Sequence, residues 1–369
     1  MQTMNLQSVI YDRLISQPSI ETQECVGLFD GAVGKAIIFH LMYRHTGIEE
    51  MKTKAFQMLN EVAEKIMEVE SLHFDNGLIG IGWAIEWLSQ NDFIKENTDI
   101  ILEDLDVEVY KSVLYKKEED VSLEKGTLGK AAYFVKRSAS VNKDTHRYLR
   151  LAHDECLLHL TDDLADLLNG ADGILTKGVP EDMLNAIGFF DQLNHLASYL
   201  LLFANFRRVN GIVIENTLYD IVSFIDLVLS RICTYELNKL KHSHYTIINS
   251  ISYAALCYLR AGKIRKYQFW QERAEEFLIK CNICSSVSPL DQKEQFLKLN
   301  LLTLQNLIIP SAKLAADITA ILKQIIDNHD LKFQLRNGWG AIIVSWLSIT
   351  NPSINKNLLD LIFFKHRSE

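Results

Sequence analysis

The chain has 369 residues, 48% of them hydrophobic, and its 47 acidic against 38 basic residues give a formal net charge of −9. This length is enough for one large domain or two ordinary ones with a sizeable core. The acidic balance, together with the lack of a basic stripe or a base-reading motif, argues against nucleic acid as the main partner.

The N-terminal stretch MQTMNLQSVIYDRLISQPS has neither the basic region nor the continuous apolar run of a secretory signal. Its apolar residues instead predict an amphipathic helix. The most apolar run, Tyr199 to Phe206, falls short of the roughly 20 residues that cross a membrane. Six cysteines scattered through so long a chain do not form the pattern of a small disulfide-stapled domain. We therefore expect reduced thiols, no membrane span and a cytoplasmic location.

Helices of two kinds alternate along the chain. All five prolines lie between apolar-periodic segments, which indicates helices because proline is excluded from helix interiors. One kind is apolar on all sides and predicts a buried helix; these inner segments are Gly34–Tyr43, Gly80–Leu88, Gly129–Phe134 and onward, Leu193–Phe206, Ile247–Leu259, Phe296–Ile308 and Ala341–Leu347. The other kind has one apolar stripe; these outer segments are Glu50–Val69, Asp99–Tyr115, Asp144–Leu168, Leu218–Leu237, Arg265–Ile279, Lys313–Asn328 and Asn355–Phe364.

The spacing of a glycine motif supports a repeat. Gly31 and Gly77 are 46 residues apart, Gly77 and Gly126 are 49 apart, and Gly338 follows after about four more steps of similar size. Inner helices that are apolar on all sides need neighbours on every side, which favours closure into a ring over an open solenoid. The sequence thus predicts an all-α protein, an α/α toroid of about seven inner and seven outer helices, as a single domain over residues 1–369.

The motif opens four inner segments as DGAVG, NGLIG, KGTLG and NGWGA. In three of them Asp or Asn precedes the first glycine, which predicts a side-chain N-cap. The first glycine is expected to permit a tight turn and the second a close backbone approach. We interpret these glycines as structural: Gly31, Gly34, Gly77, Gly80, Gly126, Gly129 and Gly338. A fifth copy, NGADG at Asn169 to Gly173, meets Gly178 and Pro180 within a few residues and is predicted to be a loop.

Helix N-termini that converge at one mouth of the ring would suit an anionic or peptide ligand. Six residues are candidates for ligand binding there: Asp30, Lys35, Asp75, Asn76, Lys130 and Trp339. The Gly-Lys pairs do not form a phosphate-binding loop, because Ala36 and Ala131 stand where that loop needs a hydroxyl and no strand is predicted before either copy.

These motifs resemble the lanthionine synthetase C-like family. GLFDGAVGKAIIFHLMYRHTG and FDNGLIGIGWAIEWLSQNDFI are similar to its first two repeats, and LEKGTLGKAAYFVKR and LRNGWGAIIVSWLS to its third and last. The second stretch is similar to versions associated with Bacteroidetes peptide-natural-product clusters. The resemblance covers about the first 140 and the last 35 residues. It implies an α/α toroid that binds a peptide or a partner modifying enzyme, and a zinc-dependent cyclisation in which a cysteine thiolate adds to a dehydroamino acid.

The zinc ligands that the resemblance implies, in W-C-x-G and C-H-G motifs before later inner helices, are not found in this sequence. Cys257 lies deep within an inner segment, and the C-x-x-C at Cys281 and Cys284 lacks the two further partners of a four-ligand site. His242 and His244 precede the fifth inner segment but lack a nearby thiol in the sequence. We therefore expect no metal and no other cofactor, and a degenerate, zinc-free member.

The residues leave further interpretations open. His195 and Asp191, four residues apart, form a possible acid–base pair, and Glu86 between Trp83 and Trp87 is a third catalytic candidate. A glycosidase on an α/α ring would need two carboxylates across a cleft, for which Asp30, Asp75 and Asp172 are available. A thioether-forming cyclase with unusual ligands is also compatible with the sequence, and so is a helical interaction scaffold without chemistry.

Overall fold

A computed structural model describes residues 6–15, 25–116, 119–142, 147–182, 186–206, 212–234, 245–281, 291–327 and 331–362. Within these residues the regular structure is helical and contains no strand. The first helix, α1 (Leu6–Ile15), is amphipathic as predicted: Ile10 and Leu14 are buried, and Lys54 Nζ donates to the carbonyl of Ile15 over 2.7 Å at its C-terminal end. This lysine satisfies a carbonyl that the end of the helix leaves open.

Seven inner helices of the described chain form a closed ring. Each contacts the next along the chain, and the last contacts the first, so the ring has no open end. The inner helices are α2 (Ala32–Thr46), α4 (Leu78–Gln90), α7 (Thr127–Ser138), α10 (Ile187–Ala204), α12 (Tyr245–Arg265), α14 (Gln292–Ile308) and α16 (Trp339–Thr350). This closure confirms the predicted α/α toroid, since an open solenoid would leave α16 and α2 apart.

An outer helix packs against each inner helix that precedes it. The outer helices are α3 (Glu49–Lys65), α6 (Glu103–Leu114), α8 (Arg147–Asn169), α11 (Ile212–Thr234), α13 (Gln268–Cys281), α15 (Ala312–Ile326) and α17 (Asn355–Ile362). Two short helices, α5 (Thr98–Ile101) and α9 (Ile174–Lys177), lie in the connections. Among the described residues, no helix is both long enough and apolar enough to cross a membrane.

The two layers bury their residues in different patterns. Every residue of α2 from Ala32 to Met42 is buried, because the helix has ring neighbours on both sides and α3 behind it. Helix α3 buries only Met51, Ala55, Met58 and Val62, which recur every three or four residues on one face. The sequence contrast between inner and outer segments is thus a direct consequence of their layer.

Two local predictions are resolved by the structure. The segment Asp99–Tyr115, predicted as one helix, is broken at Leu102, so that α5 and α6 are separate. The prediction of a single helix is therefore wrong. The break allows Asp99 of α5 and Asp106 of α6 to bond the same buried arginine, Arg137. The motif at Asn169 to Gly173 ends α8 and leads into the four-residue α9, and no long helix follows, as predicted.

Candidate functional site at the mouth of the ring

The mouth is the end of the ring at which the inner helices begin. Four loops there, residues 25–31, 71–77, 120–126 and 332–338, precede α2, α4, α7 and α16 and share one conformation. In each loop the first N–H of the following helix donates to the carbonyl seven residues earlier. The four bonds are Ala32 to Cys25 (3.1 Å), Leu78 to Ser71 (2.8 Å), Thr127 to Asp120 (2.9 Å) and Trp339 to Lys332 (3.1 Å). Each loop therefore folds back over the start of its own helix.

The glycine pair is required by this folding back. A Cβ on the first glycine would lie 2.0 to 2.5 Å from the carbonyl oxygen six residues before it, in all four loops, as at Gly31 against Cys25 and Gly126 against Asp120. A Cβ on the second glycine would meet the carbonyl six residues before it in the same way, 1.9 Å away at Gly80 and 2.1 Å away at Gly34. The predicted close backbone approach is correct, and the approaching backbone is the loop's own.

The predicted side-chain N-caps are wrong. The first glycine itself, in an extended conformation, is the N-cap of α2, α4, α7 and α16, and no side-chain cap bond is formed there. The loop carbonyl seven residues back takes over the role of the capping oxygen, which frees the preceding side chains. Asp30 and Asn76 bond to each other instead, with Asn76 Nδ2 3.3 Å from Asp30 Oδ2 and the N–H of Asp30 donating to Asn76 Oδ1.

A directed series of backbone hydrogen bonds joins the four loops, and we call it the backbone belt. The N–H of Leu335 donates to Phe29 (2.8 Å), those of Leu28 and Phe29 to Asp75 (2.9 and 3.0 Å), and those of Phe74 and Asp75 to Glu124 (2.7 and 3.3 Å). Each acceptor stands two residues before a first glycine. The belt thus runs from the last repeat through the first and second to the third, and it fixes the shape of this half of the mouth.

The position two residues before the first glycine carries Phe29, Asp75, Glu124 and Arg336 in the four loops. The guanidinium of Arg336 stacks on the ring of Phe29, 3.7 Å from its centroid, and Arg336 Nη1 bonds Glu124 Oε1 at 2.5 Å. These residues are 212 positions apart in the chain, so the ion pair links the last repeat to the third. Both side chains are largely buried, at 15% and 8% exposure, which strengthens the pair relative to one in open water.

The six predicted ligand-binding residues of the mouth differ in burial. Asp30 is exposed, whereas Asp75 and Asn76 are half-buried between the first two loops, and Asp75 Oδ1 accepts from the N–H of Asn76 over 2.7 Å. Lys35, Lys130 and Trp339 are instead buried. Lys35 Nζ lies 5.7 Å from the ring centroid of Phe333, and Lys130 Nζ lies 3.5 Å from the carbonyl of Ser112 in the last turn of α6.

The placement of Lys130 differs from its predicted position as a ligand-binding residue of the mouth, whereas Lys35 lies against Phe333 of the loop that precedes α16. The amine of Lys130 is directed outward between the layers, where it meets the open carbonyls and the negative dipole end of α6.

Glu86, a predicted catalytic residue, belongs to a buried cluster at the opposite end of the ring. Its carboxylate bonds Arg137 Nη1 (2.6 Å), Thr98 Oγ1 (2.5 Å) and Gln90 Nε2 (2.8 Å). Arg137 also bonds Asp106 (2.6 Å) and Asp99 (3.2 Å), and we call Glu86, Asp99, Asp106 and Arg137 the charge network. Glu86 and Arg137 are fully buried near the C-terminal ends of α4 and α7, so the network joins inner helices to the start of the outer layer.

The contacts of the charge network shift the pKa values of Asp106, Arg137 and the neighbouring Tyr133. Burial raises the pKa of Asp106, but the nearby imidazole of His153, whose Nε2 lies 3.4 Å from Asp106 Oδ2, and the hydrogen bonds from Arg137 outweigh it and hold that pKa below its ordinary range. Burial likewise opposes the charge of Arg137, and its bond to Asp106 reverses the effect and raises its pKa. Tyr133, whose hydroxyl donates to Asp106 over 2.6 Å, is kept neutral by burial, which raises its pKa well above the usual value. The pair of Asp106 and Arg137 is therefore ionic, and Glu86 forms its hydrogen bonds with Arg137, Thr98 and Gln90 inside the same buried cluster.

His195 and Asp191 lie on α10, and His195 lines a cavity of about 350 Å³ between α8, α9 and α10. Asp191 is not among the lining residues. Asp172 is at the rim of the same cavity, where its carboxylate pairs with Lys177 Nζ at 2.9 Å. Asp172 thus belongs to a different place from Asp30 and Asp75, and the structure does not bring these three carboxylates together in one loop.

Comparison with known proteins bears on the fold. No family model matches the sequence, and no curated protein matches it. Among solved structures, a chain described as "Nisin cyclase" matches with a TM-score of 0.64 at 14% identity, over 97% of both chains.

The chain has the fold of a nisin cyclase. At 14% identity the likeness to the nisin cyclase chain concerns the fold.

The described residues do not fit the zinc site that this resemblance implies. Such a site needs thiolates or imidazoles, and the loop before α16, residues 331–338, contains neither and brings the cationic Arg336 to the mouth. No three His, Cys, Asp or Glu side chains are placed to hold a metal ion in the part of the chain that the structure describes. His242, His244 and Cys284 lie outside the described residues, as does the side chain of Cys281, so the expected absence of zinc stays a prediction.

Reasoning from the sequence missed Phe29, Glu124 and Arg336 as mouth residues. The signal was available: aligning the four loops on the first glycine places these residues and Asp75 at one position. What the alignment does not give is that an arginine at this position reaches past the neighbouring loops to a glutamate of the third.

Proposed function

We propose that this chain is a lanthionine synthetase C-like protein of peptide maturation that binds a peptide at the mouth of the ring without the family's zinc. The observation that carries the proposal is the nisin cyclase fold over nearly the whole of both chains, combined with a mouth whose shape is fixed by the backbone belt. Nisin cyclase is named for cyclisation of nisin, and a peptide ligand for this chain follows from that likeness as a proposal.

Arg336 is the cation that we assign to the peptide. Its guanidinium has planar, forked donors that suit a carboxylate or an amide carbonyl, and Glu124 and Phe29 hold it in place. A peptide carboxylate would exchange with Glu124 for the same donors. The proposal includes no metal-assisted step, because the W-C-x-G and C-H-G motifs that would hold zinc are not found in the sequence.

The test uses the purified full chain and a fluorescein-labelled peptide that carries an aspartate, a cysteine and a dehydroalanine. Polarisation measures its binding, elemental analysis measures bound zinc, and alkylation of free thiols followed by mass spectrometry measures ring closure. We expect binding, no stoichiometric zinc and an unconsumed thiol. Arg336→Gln should weaken binding by roughly tenfold, because a hydrogen bond to a charged group is lost.

The controls distinguish peptide binding from cyclisation and from a scaffold role. Glu124→Gln removes the competing carboxylate and should tighten binding, whereas Lys323→Gln, an exposed change on α15, should leave it unchanged. One zinc per chain with a consumed thiol would replace the proposal with an active thioether-forming cyclase. No binding of the peptide by any variant would leave the ring as an interaction scaffold.

A further inference from the structure

The cavity between α8, α9 and α10 has the features of a binding site. Its volume of about 350 Å³ lies within the range of roughly 300 to 1,000 Å³ that is usual for ligand pockets. Its apolar lining comes mainly from Leu164, Leu167, Leu168, Ile174 and Leu196. The polar lining residues Gln192, His195 and Tyr199 lie on successive turns of α10, on the face that borders the cavity.

Tyr199 supplies the observation that points to a ligand. Its side chain is 1% exposed, it lines the cavity, and its hydroxyl is not hydrogen-bonded to any residue that the structure describes. Burial raises the pKa of this phenol; the hydroxyl of Thr127, which donates to the carbonyl of Asp120 over 3.2 Å, lowers it in part. The phenol therefore stays a neutral O–H donor. A buried donor without an acceptor costs free energy, and a bound acceptor would remove that cost.

Carboxylates surround the entrance. Glu119, Asp166 and Asp172 line the cavity and are exposed, and Asp172 is paired with Lys177. No basic side chain of the described residues forms an ion pair with Glu119 or Asp166. Asp120 and Asp163 lie close enough to Tyr199 to raise its pKa further. An entrance with this surplus of negative charge attracts cations and repels anions.

We propose that this cavity binds a short basic segment of a peptide. An apolar side chain fills the leucine-lined floor, a backbone carbonyl accepts from Tyr199, and flanking lysine or arginine side chains meet Glu119 and Asp166. This inference rests on the proposed function, in that it takes the ligand to be a peptide, and it adds a second contact region outside the mouth.

The test uses the full chain and a fluorescein-labelled hexapeptide of alternating leucine and lysine. Tyr199→Phe removes the hydroxyl alone and should weaken binding about fivefold. The double variant Glu119→Gln with Asp166→Asn should weaken it about fivefold and reduce its dependence on salt. Gln192→Trp, at an exposed lining position, should obstruct the cavity and weaken binding about tenfold or more. Glu64→Gln, an exposed acid on α3, is the matched control and should have no effect.

Two further probes define the ligand. A hexapeptide of alternating leucine and glutamate should not bind, and spermine, which has the charges without amide carbonyls, should not displace the lysine peptide at equal concentration. Binding that Gln192→Trp leaves intact, or equal binding of the glutamate peptide, would overturn the proposal. Arg336→Gln should leave the lysine peptide bound, so a failed mouth proposal and a failed cavity proposal give different results.

Discussion

The half of the ring built from α16, α2, α4 and α7 is joined at its mouth through the backbone. Between α10 and α12, and between α12 and α14, the hydrogen bonds among the described residues are instead made by side chains. In the first half, five hydrogen bonds of the belt connect loops whose glycine pairs recur in the sequence. In the second half, Asn194 bonds Ser250 (3.0 Å) and Ser198 bonds Tyr253 (2.9 Å) between α10 and α12.

The starts of the helices differ in the same way. Helix α14 begins with Asp291, whose side chain accepts from the N–H of Glu294 over 2.8 Å, a conventional capping pair without glycine. A side-chain cap satisfies the N-terminus of a single helix. A glycine loop caps its own helix with a backbone carbonyl, and other N–H groups of the loop bond the neighbouring loop. The glycine loops thus couple neighbouring repeats. The cavity with Tyr199 lies next to the loop that precedes α7, which is the last loop of the backbone belt.

The largest expected difference between the halves comes from the charge network. Arg137→Met removes its one guanidinium and leaves the buried carboxylates of Glu86 and Asp106 without their cation, so we expect a loss of about 3 to 5 kcal/mol in the free energy of unfolding. Ser198→Ala, in the other half, removes a neutral hydroxyl that bonds the carbonyl of Asn194 and the hydroxyl of Tyr253, and should cost about 1 to 2 kcal/mol. Urea unfolding at neutral pH measures both, and equal losses would contradict the comparison.

A smaller loss is expected at the second glycine of the belt half. In Gly80→Ala the new Cβ would lie 1.9 Å from the carbonyl oxygen of Phe74, so the loop must shift, at a cost of about 2 kcal/mol or more. The belt amides of Phe74 and Asp75 should lose protection in hydrogen exchange. Gly188→Ala on α10 is the matched control, because no atom of the described residues lies within 4 Å of the Cβ that it would add. It should instead stabilise by about 0.5 to 1 kcal/mol, and destabilisation by both changes would argue against a loop-specific role.

The smallest of the three effects is a dependence on pH in the belt half. Burial, and then the charges of Lys52 and Arg44, lower the pKa of His40 on α2 to about 4. Between the ordinary value of 6.5 and about 4, the unfolded chain binds a proton that the folded chain does not. Stability from this group is therefore complete above about pH 6.5 and decreases as the pH falls toward 4. His40→Met should remove about 1 kcal/mol of the loss between pH 7 and about 5.5.

The control for His40 is His159→Gln, an exposed change on α8 that should keep the wild-type slope. A slope that survives His40→Met and disappears in His159→Gln would show that the buried histidine is not the source.

The sequence predicted the inner and outer layers well, because the spacing of apolar residues along each helix follows the number of its buried faces. Helix α2 reads as apolar on all sides and is buried from Ala32 to Met42, and α3 shows one stripe and buries it. It predicted the mouth poorly. The order Asp or Asn before glycine indicates a side-chain cap in most proteins. Here a carbonyl seven residues back in the loop takes that place, which no local pattern reveals.

Lys130 shows the same limit of prediction from local sequence. Lys130 follows the second glycine, a position that predicts a place at the mouth, yet its amine meets Ser112 between the layers. A long side chain in the first turn of a helix has two directions open to it, and only the position of α6 decides between them.

By itself, the sequence determined the all-α class, the alternation of inner and outer helices and the positions that must be glycine, because each depends on local periodicity or on a backbone that excludes a Cβ. Only the tertiary structure decided that Arg336 meets Glu124, that Glu86 is an internal ion-pair partner and that Tyr199 lines a cavity with carboxylates at its entrance. These three results join residues that are far apart in the chain. Closure of the ring brings Arg336 to Glu124, and packing between successive repeats makes the other two contacts.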